Sequence, residues 1–230
     1  GLAQVCAPLG VGVVGGDLSG GREVVVAVTA HGDLGGRPPV LRSGARPGDV
    51  LAHAGVRGRS AAGLALLRAG LGDGDGELVA AYLRPVCPLT SGPAAALAGA
   101  TAMLDVSDGL VRDARRIAVA SHVRIDLDDP HVVLGEDLAR LSAAAGATGA
   151  DALAWVLAGG EDHGLLATFP AGAQLPAGFR QIGRVLEATA GGTAAGDATA
   201  AGRSRGEVTV EGVAPLVGSG GWDHFGGRGH

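Results

Sequence analysis

Residues 101–120 read TAMLDVSDGLVRDARRIAVA, and the fold assignment begins there. A short apolar run over 101–104 has strand character and stops at three polar residues, Asp105, Ser107 and Asp108. From residue 110 the period changes. Leu110, Ala114, Ile117 and Val119 recur at helical intervals and predict an amphipathic helix over 110–120 with those residues toward the core. Ser107 is expected to cap that helix, with Asp108 in its first turn. A strand feeding a helix through an acidic junction is the unit of an α/β protein.

The same alternation extends outward in both directions. Strands are expected over 49–54, 123–127, 165–168, 179–185 and 207–213, and helices over 59–68, 76–83, 92–97, 136–145 and 152–157. Residues 187–206, almost all Ala, Gly and Thr, form a low-complexity surface loop in this assignment. Upstream, residues 1–9 end a short helix stopped by Pro8 and Gly10, and residues 11–16 and 23–31 (EVVVAVTAH) have strand patterns. The Gly/Pro-rich connection over 35–48 marks a domain boundary, giving domains 1–36 and 37–230. The expected class is α/β in the mixed, α+β sense. It comprises a remnant of an N-terminal α/β domain and a complete C-terminal domain with helices on one face of a mixed sheet. Residues 23–31 are an aggregation hazard if orphaned at an edge.

Composition closes several functional classes. The 230 residues include 43 Gly and 18 basic residues, all of them Arg, with no Lys and no Asn. A Walker A loop and a pyridoxal Schiff base both require Lys, so neither can be built. A net charge of −5 argues against a nucleic-acid partner, which leaves a basic footprint. Cys6 and Cys87 stand far apart and read as two buried thiols of a cytoplasmic protein, not as a disulfide or zinc site. No apolar run approaches the ~18 residues of a membrane span.

Two motif matches are set aside. Gly10-Val11-Gly12-Val13-Val14-Gly15 fits G-x-G-x-x-G, but a helix precedes it and a strand follows, the reverse of the dinucleotide arrangement. Gly202-Arg203-Ser204-Arg205-Gly206 fits the nucleophile elbow but enters a strand instead of leaving one. His53 reads as a satisfied core or edge residue among apolar neighbours, and no histidine has partners at metal spacing.

Three acidic segments carry the chemistry. They are Val13-Val14-Gly15-Gly16-Asp17, Asp105-Val106-Ser107-Asp108-Gly109, and Gly159-Gly160-Glu161-Asp162-His163. In each, carboxylates stand beside glycines at a strand end or tight turn. A hard divalent cation such as Mg²⁺ takes a few carboxylates and completes its shell with phosphate oxygens. A helix N-terminus beside them suits a phosphate. Together the segments point to a metal–nucleotide site, whereas 105–108 alone is equally an ordinary acidic helix cap.

These segments, with LRSGARPGDVL, SAAGLALL and the terminal GWDHF, resemble the thiamine-monophosphate kinases in order and spacing along the whole chain. Aminoimidazole-ribonucleotide synthetases, selenophosphate synthetases and hydrogenase-maturation proteins share the general plan. The resemblance implies ATP- and Mg²⁺-dependent phosphorylation of thiamine monophosphate to thiamine diphosphate by a cytoplasmic homodimer, with several Mg²⁺ ions. By motif, Gly16, Asp17, Arg42 and Ser107 correspond to nucleotide contacts, and Asp17, Asp105 and Asp108 to Mg²⁺ ligands. Glu161 and Trp222 correspond to contacts with the thiamine moiety. No side chain is assigned a covalent or proton-transfer role, because in-line transfer between polyanions depends on alignment and charge neutralisation.

The family's first third, with further metal-binding acids, has no counterpart before Gly1, and His163 and Gly164 replace the usual Tyr and Glu after GGED. Alternatives that stay open are a truncated, inactive relative that only binds nucleotide or dimerises, and a same-fold synthetase with another acceptor. Coding sequence upstream of Gly1 is expected to continue in frame into a D-D-A-A-like segment and a further Asp motif. A stop codon there would count against the kinase assignment.

Overall fold

The computed structural model describes residues 1–188 and 206–215. By their contacts these fall into two units, divided between Pro38 and Pro39.

The first unit holds a short helix α1 (Leu2–Cys6) and a 3-10 turn (Ala7–Leu9) closed by Gly10 in the left-handed conformation. The expected strands over 11–16 and 23–31 do not form. A strand exists only when its N–H and C=O groups meet a partner, and no pairing reaches these residues. Val24, Val25 and Val26 are consequently exposed, at 95%, 82% and 78%.

The second unit is built on six strands: β1 (Val50–Ala54), β2 (Ala102–Val106), β3 (Val123–Leu127), β4 (Gly164–Phe169), β5 (Phe179–Glu187) and β6 (Val208–Val210). Their order is β2-β4-β1-β5-β3-β6, with β3–β6 parallel and the other pairings antiparallel. The helices are α2 (Arg59–Arg68), α3 (Gly76–Leu83), α4 (Ser91–Leu97), α5 (Leu110–Ser121), α6 (Pro130–Val133), α7 (Gly135–Thr148) and α8 (Ala152–Ala158). Apart from α6, which the sequence pattern misses, each element of this unit lies where the periodicity predicts it.

Strand alternation divides the core. Leu51, Leu166, Ile125 and Ile182 face α2, α5, α7 and α8 in the main core, with Leu66, Leu110, Ile117, Leu141 and Val156. Ala52, Ala167 and Phe169 point to the other face, where Ala95 of α4 covers them. The mixed sheet with helices largely on one face is thus as expected, with α4 a small addition opposite. On α5 the buried stripe is Leu110, Ala114, Ile117 and Ala118. Val119, expected inward, is 47% exposed, since one further helical step rotates it off the stripe. The thiols differ from expectation too, because Cys6 is half-buried and Cys87 exposed.

The outer edge of β2 is covered by the stretch over 41–45. The Met103 N–H donates to the Leu41 carbonyl at 3.2 Å, and Ser121 Oγ both accepts from the Ala45 N–H and donates to the Arg42 carbonyl. This stretch removes an open sheet edge next to the acidic junction.

His53 is fully buried on β1, but neither ring nitrogen has a hydrogen-bond partner among the described residues, so it is not the satisfied core residue expected. A Cβ on Gly164 would lie 2.4 Å from His53 Nε2; glycine at 164 is what leaves room for the ring. Burial, reinforced by Arg57 and then Arg180, holds the imidazole pKa well below its ordinary value. The folded state therefore keeps His53 neutral where the unfolded chain, titrating near ~6.5, takes up a proton. Stability attributable to His53 is intact above that pH and is lost as pH falls below it, by up to about 1.4 kcal/mol per pH unit. Urea unfolding at about pH 7.5 and about pH 5.5 is expected to show a smaller acid loss in His53→Leu than in the parent chain. Equal losses would contradict the burial effect.

Candidate functional site

Two of the three acidic segments meet. The junction 105–109 leaves β2 and enters α5, while the loop 159–163 leaves α8 and enters β4, and β2 and β4 are paired neighbours. The Glu161 N–H donates to the Ser107 carbonyl at 2.8 Å. A Cβ on Gly160 would stand 2.5 Å from that same carbonyl, and one on Gly109, at φ +117°, would stand 2.7 Å from the Ala158 carbonyl. The glycines at these two positions therefore allow the backbones to touch. Gly16 is different: a Cβ there would meet nothing within 4 Å.

The junction departs from a simple cap. Strand β2 runs on through Asp105 and Val106, and the cap residue of α5 is Gly109, not Ser107. Asp108 stands before the helix, and its N–H donates at 2.9 Å to Asp113, which occupies the first turn and is fully buried. Burial first of all raises the Asp113 carboxyl pKa, against the opposing hydrogen bond from Asp108 and the charge of Arg116. Arg116 bridges the pair, bonding the Asp108 carboxylate and reaching Asp113 at 2.5 Å. The sequence did not single out Asp113 or Arg116, although their i, i+3 spacing on a helix was a usable signal.

Below the loop lies a buried ionic layer. Arg57 has no exposed surface; its Nε donates to the Val156 carbonyl at 3.2 Å and its Nη2 to the Gly159 carbonyl at 2.5 Å. Nη1 lies 3.4 Å from Asp162 Oδ2. Asp162 accepts the Gly58 and Ser60 N–H groups at 2.6 and 2.8 Å, capping the start of α2 across the fold. Asp137, in the first turn of α7, accepts the Arg57 N–H at 3.0 Å and is ion-paired with Arg180. Burial raises the Asp162 carboxyl and lowers the Arg57 guanidinium, each partly offset by the other's charge.

The predicted site residues are distributed as follows. Asp105 is exposed, Ser107 half-buried and Asp108 buried on the junction, and Glu161 is exposed on the facing loop. Glu161 and His163 both take positive φ, +67° and +50°, and their side chains approach to 3.5 Å. Arg42 is exposed on the stretch covering β2. Gly16 and Asp17 belong to the first unit, where Ser19 Oγ donates to Asp17. Trp222 lies outside the described residues, as does nearly all of the loop assigned to 187–206.

Among the described residues no three His, Cys, Asp or Glu side chains converge to cage an ion. Asp105 and Asp108 nevertheless offer hard oxygen donors on one short turn. Such a set suits Mg²⁺ whose remaining positions are filled by phosphate and water.

The chain matches the family described as AIR synthase related protein, C-terminal domain, over residues 46–193. It is 53% identical over 190 residues to the thiamine-monophosphate kinase of Mycobacterium tuberculosis, covering 83% of this chain and 56% of the relative. With the thiamine-monophosphate kinase of Halobacterium salinarum it shares 36% identity over 87% of this chain and 67% of the relative. Among solved structures, AaThiL complexed with AMPPCP and TMP is similar at a TM-score of 0.61 and 31% identity, over 81% of this chain and 54% of that one. The chain spans between about half and two thirds of the length of these curated relatives.

The backbone contact between junction and loop makes a specific demand. Gly160→Ala is expected to cost about 1–3 kcal/mol in urea unfolding, because the added methyl meets a backbone carbonyl that cannot turn away. Gly146→Ala, in α7 with nothing within 4 Å, is expected to gain about 0.5–1 kcal/mol. Equal effects would contradict the contact.

Proposed function

The chain belongs to the thiamine-monophosphate kinase family, within the AIR synthase related proteins, and on that premise we propose that it serves transfer of the ATP γ-phosphoryl group onto the phosphate of thiamine monophosphate. The observation that carries the proposal is the contact between the 105–109 junction and the 159–163 loop. It sets hard metal donors beside an exposed carboxylate suited to a cationic ring. In this reading Asp105 and Asp108 of the second unit are Mg²⁺ ligands and Ser107 and Arg42 engage nucleotide phosphates, and in the first unit, taken by itself, Asp17 is a Mg²⁺ ligand and Gly16 a nucleotide contact. Glu161 and Trp222 receive the thiamine moiety. The likeness to AaThiL, complexed with AMPPCP and TMP, supports that ligand pair.

The division of labour follows from charge. Mg²⁺, when bound, neutralises phosphate oxygens and the charge developing between the two polyanions. Arg116 and the Asp113 carboxylate fix the orientation of Asp108, so that its donor stands ready without reorganisation. Arg42 adds a fixed positive charge for phosphate oxygens, taking the part that Lys cannot take in this chain. Glu161 offers a full negative charge to a thiazolium, and an indole at 222 adds a cation–π contact of roughly 1–2 kcal/mol when desolvated. The proposal places the protein in the cytoplasm as a homodimer, with residues 1–36 part of an ATP-binding domain and 37–230 a second domain. The net charge of −5 leaves nucleic acid out.

Titration calorimetry of the 230-residue chain with Mg·AMPPCP and with thiamine monophosphate tests ligand choice; the proposal expects both to bind. In a chain extended upstream to the length of its relatives, Asp105→Ala and Asp108→Ala are each expected to lower turnover to thiamine diphosphate by about a hundredfold or more. Near-normal turnover would remove these residues from metal binding.

A further inference from the structure

Arg57 holds both flanks of Glu161. It sits on the turn between β1 and α2, bounded by Gly55 at φ +103° and Gly58 at φ +77°. Its three guanidinium nitrogens face three groups, of which Nε and Nη2 donate hydrogen bonds whereas Nη1 makes only an ion pair. Two, the carbonyls of Val156 and Gly159, precede Glu161, and the third, the Asp162 carboxylate, follows it. Asp162 is itself fixed by the Gly58 and Ser60 N–H groups, and the Arg57 backbone by Asp137.

The loop needs such an anchor. Glu161 and His163 both occupy the left-handed region, which side-chain-bearing residues avoid, and such conformations persist only where the surroundings over-determine them. The Glu161 N–H to Ser107 carbonyl bond fixes one point of the loop, and the fork of Arg57 fixes the two sides. The planar guanidinium holds two carbonyls by hydrogen bonds and a carboxylate by charge at once, which an ammonium on a flexible stem does not.

We infer that Arg57 is a positioning residue that sets the stance of the Glu161 carboxylate, and thereby the affinity for the cationic phosphoryl acceptor, without touching any ligand. The inference rests on the proposed role of Glu161. The 105–109 junction touches this loop through the Ser107 carbonyl but has anchors of its own in Asp113 and Arg116, so the larger effect falls on the cationic acceptor.

Arg57→Lys tests this, because it keeps the buried charge opposite Asp162 and Asp137; Asp162→Asn, which breaks the other end of the pair, serves if the Lys variant fails to fold. Thiamine monophosphate affinity is expected to fall about tenfold by calorimetry while Mg·AMPPCP affinity falls by a clearly smaller factor. Hydrogen exchange is expected to show lost protection of the Glu161 amide. Equal weakening of both ligands, unchanged thiamine monophosphate affinity, or a still-protected Glu161 amide would each overturn the inference. If the parent chain binds no thiamine monophosphate, the proposed function fails by itself, and the amide measurement alone decides whether Arg57 positions the loop.

Discussion

A guanidinium buried to zero exposure must find its acceptors inside the protein, and that requirement organises this fold. Arg57 draws the end of α8 and the 159–163 loop around its guanidinium, and its backbone N–H holds the start of α7 through Asp137. Asp162 answers its charge and simultaneously caps α2 through two backbone N–H groups. Desolvating such a pair costs several kcal/mol per ion, returned only when each lone pair and proton is matched, and Nη1 of Arg57 makes no hydrogen bond. Breaking one side leaves an uncompensated charge worth about 3–5 kcal/mol. The layer is therefore better understood as a device for specifying one arrangement of the loop than as a source of net stability.

That arrangement is what places chemistry on the surface. Strands β2 and β4 are neighbours, so the turns at their ends are brought side by side, and glycine at 109 and 160 lets their backbones meet. Asp105 and Glu161, which we propose meet ligands, stand exposed on these turns, while Asp113 and Asp162, one step deeper, hold the backbone beneath them. The 159–163 loop thus divides its labour between an outward carboxylate and an inward one, and at the junction the inward support comes from Asp113, beyond the motif itself.

Much of this was legible in the chain itself. Helical and strand periods located the elements of the second unit, and the acidic segments with their glycines marked the two turns that meet. Illegible were the partners. Nothing in AGVRGRS at 54–60 says that Arg57 is buried while Arg59 pairs at the surface with Glu77. Local rules also misplaced the cap of α5, because Asp113, four residues inside the helix, reaches back to the Asp108 N–H in a way that Ser107 was expected to do. The valine run over 23–31 has strand chemistry, but pairing is not a property of one segment, and without a partner the run forms no strand and stays exposed.

The sequence by itself determined the period of each element, the absence of Lys-based phosphate chemistry, and the residue types offered at the turns, since all of these are local and additive along the chain. Only the tertiary structure decided which carboxylate of each pair faces inward, which arginine is buried, and that Gly164 makes room for an unpaired His53 ring. Those outcomes depend on groups far apart in the chain, as with Arg57 and Asp162 or His53 and Gly164, meeting in a low-dielectric interior. There an unmatched charge is costly enough to choose between arrangements that the local chain leaves equal.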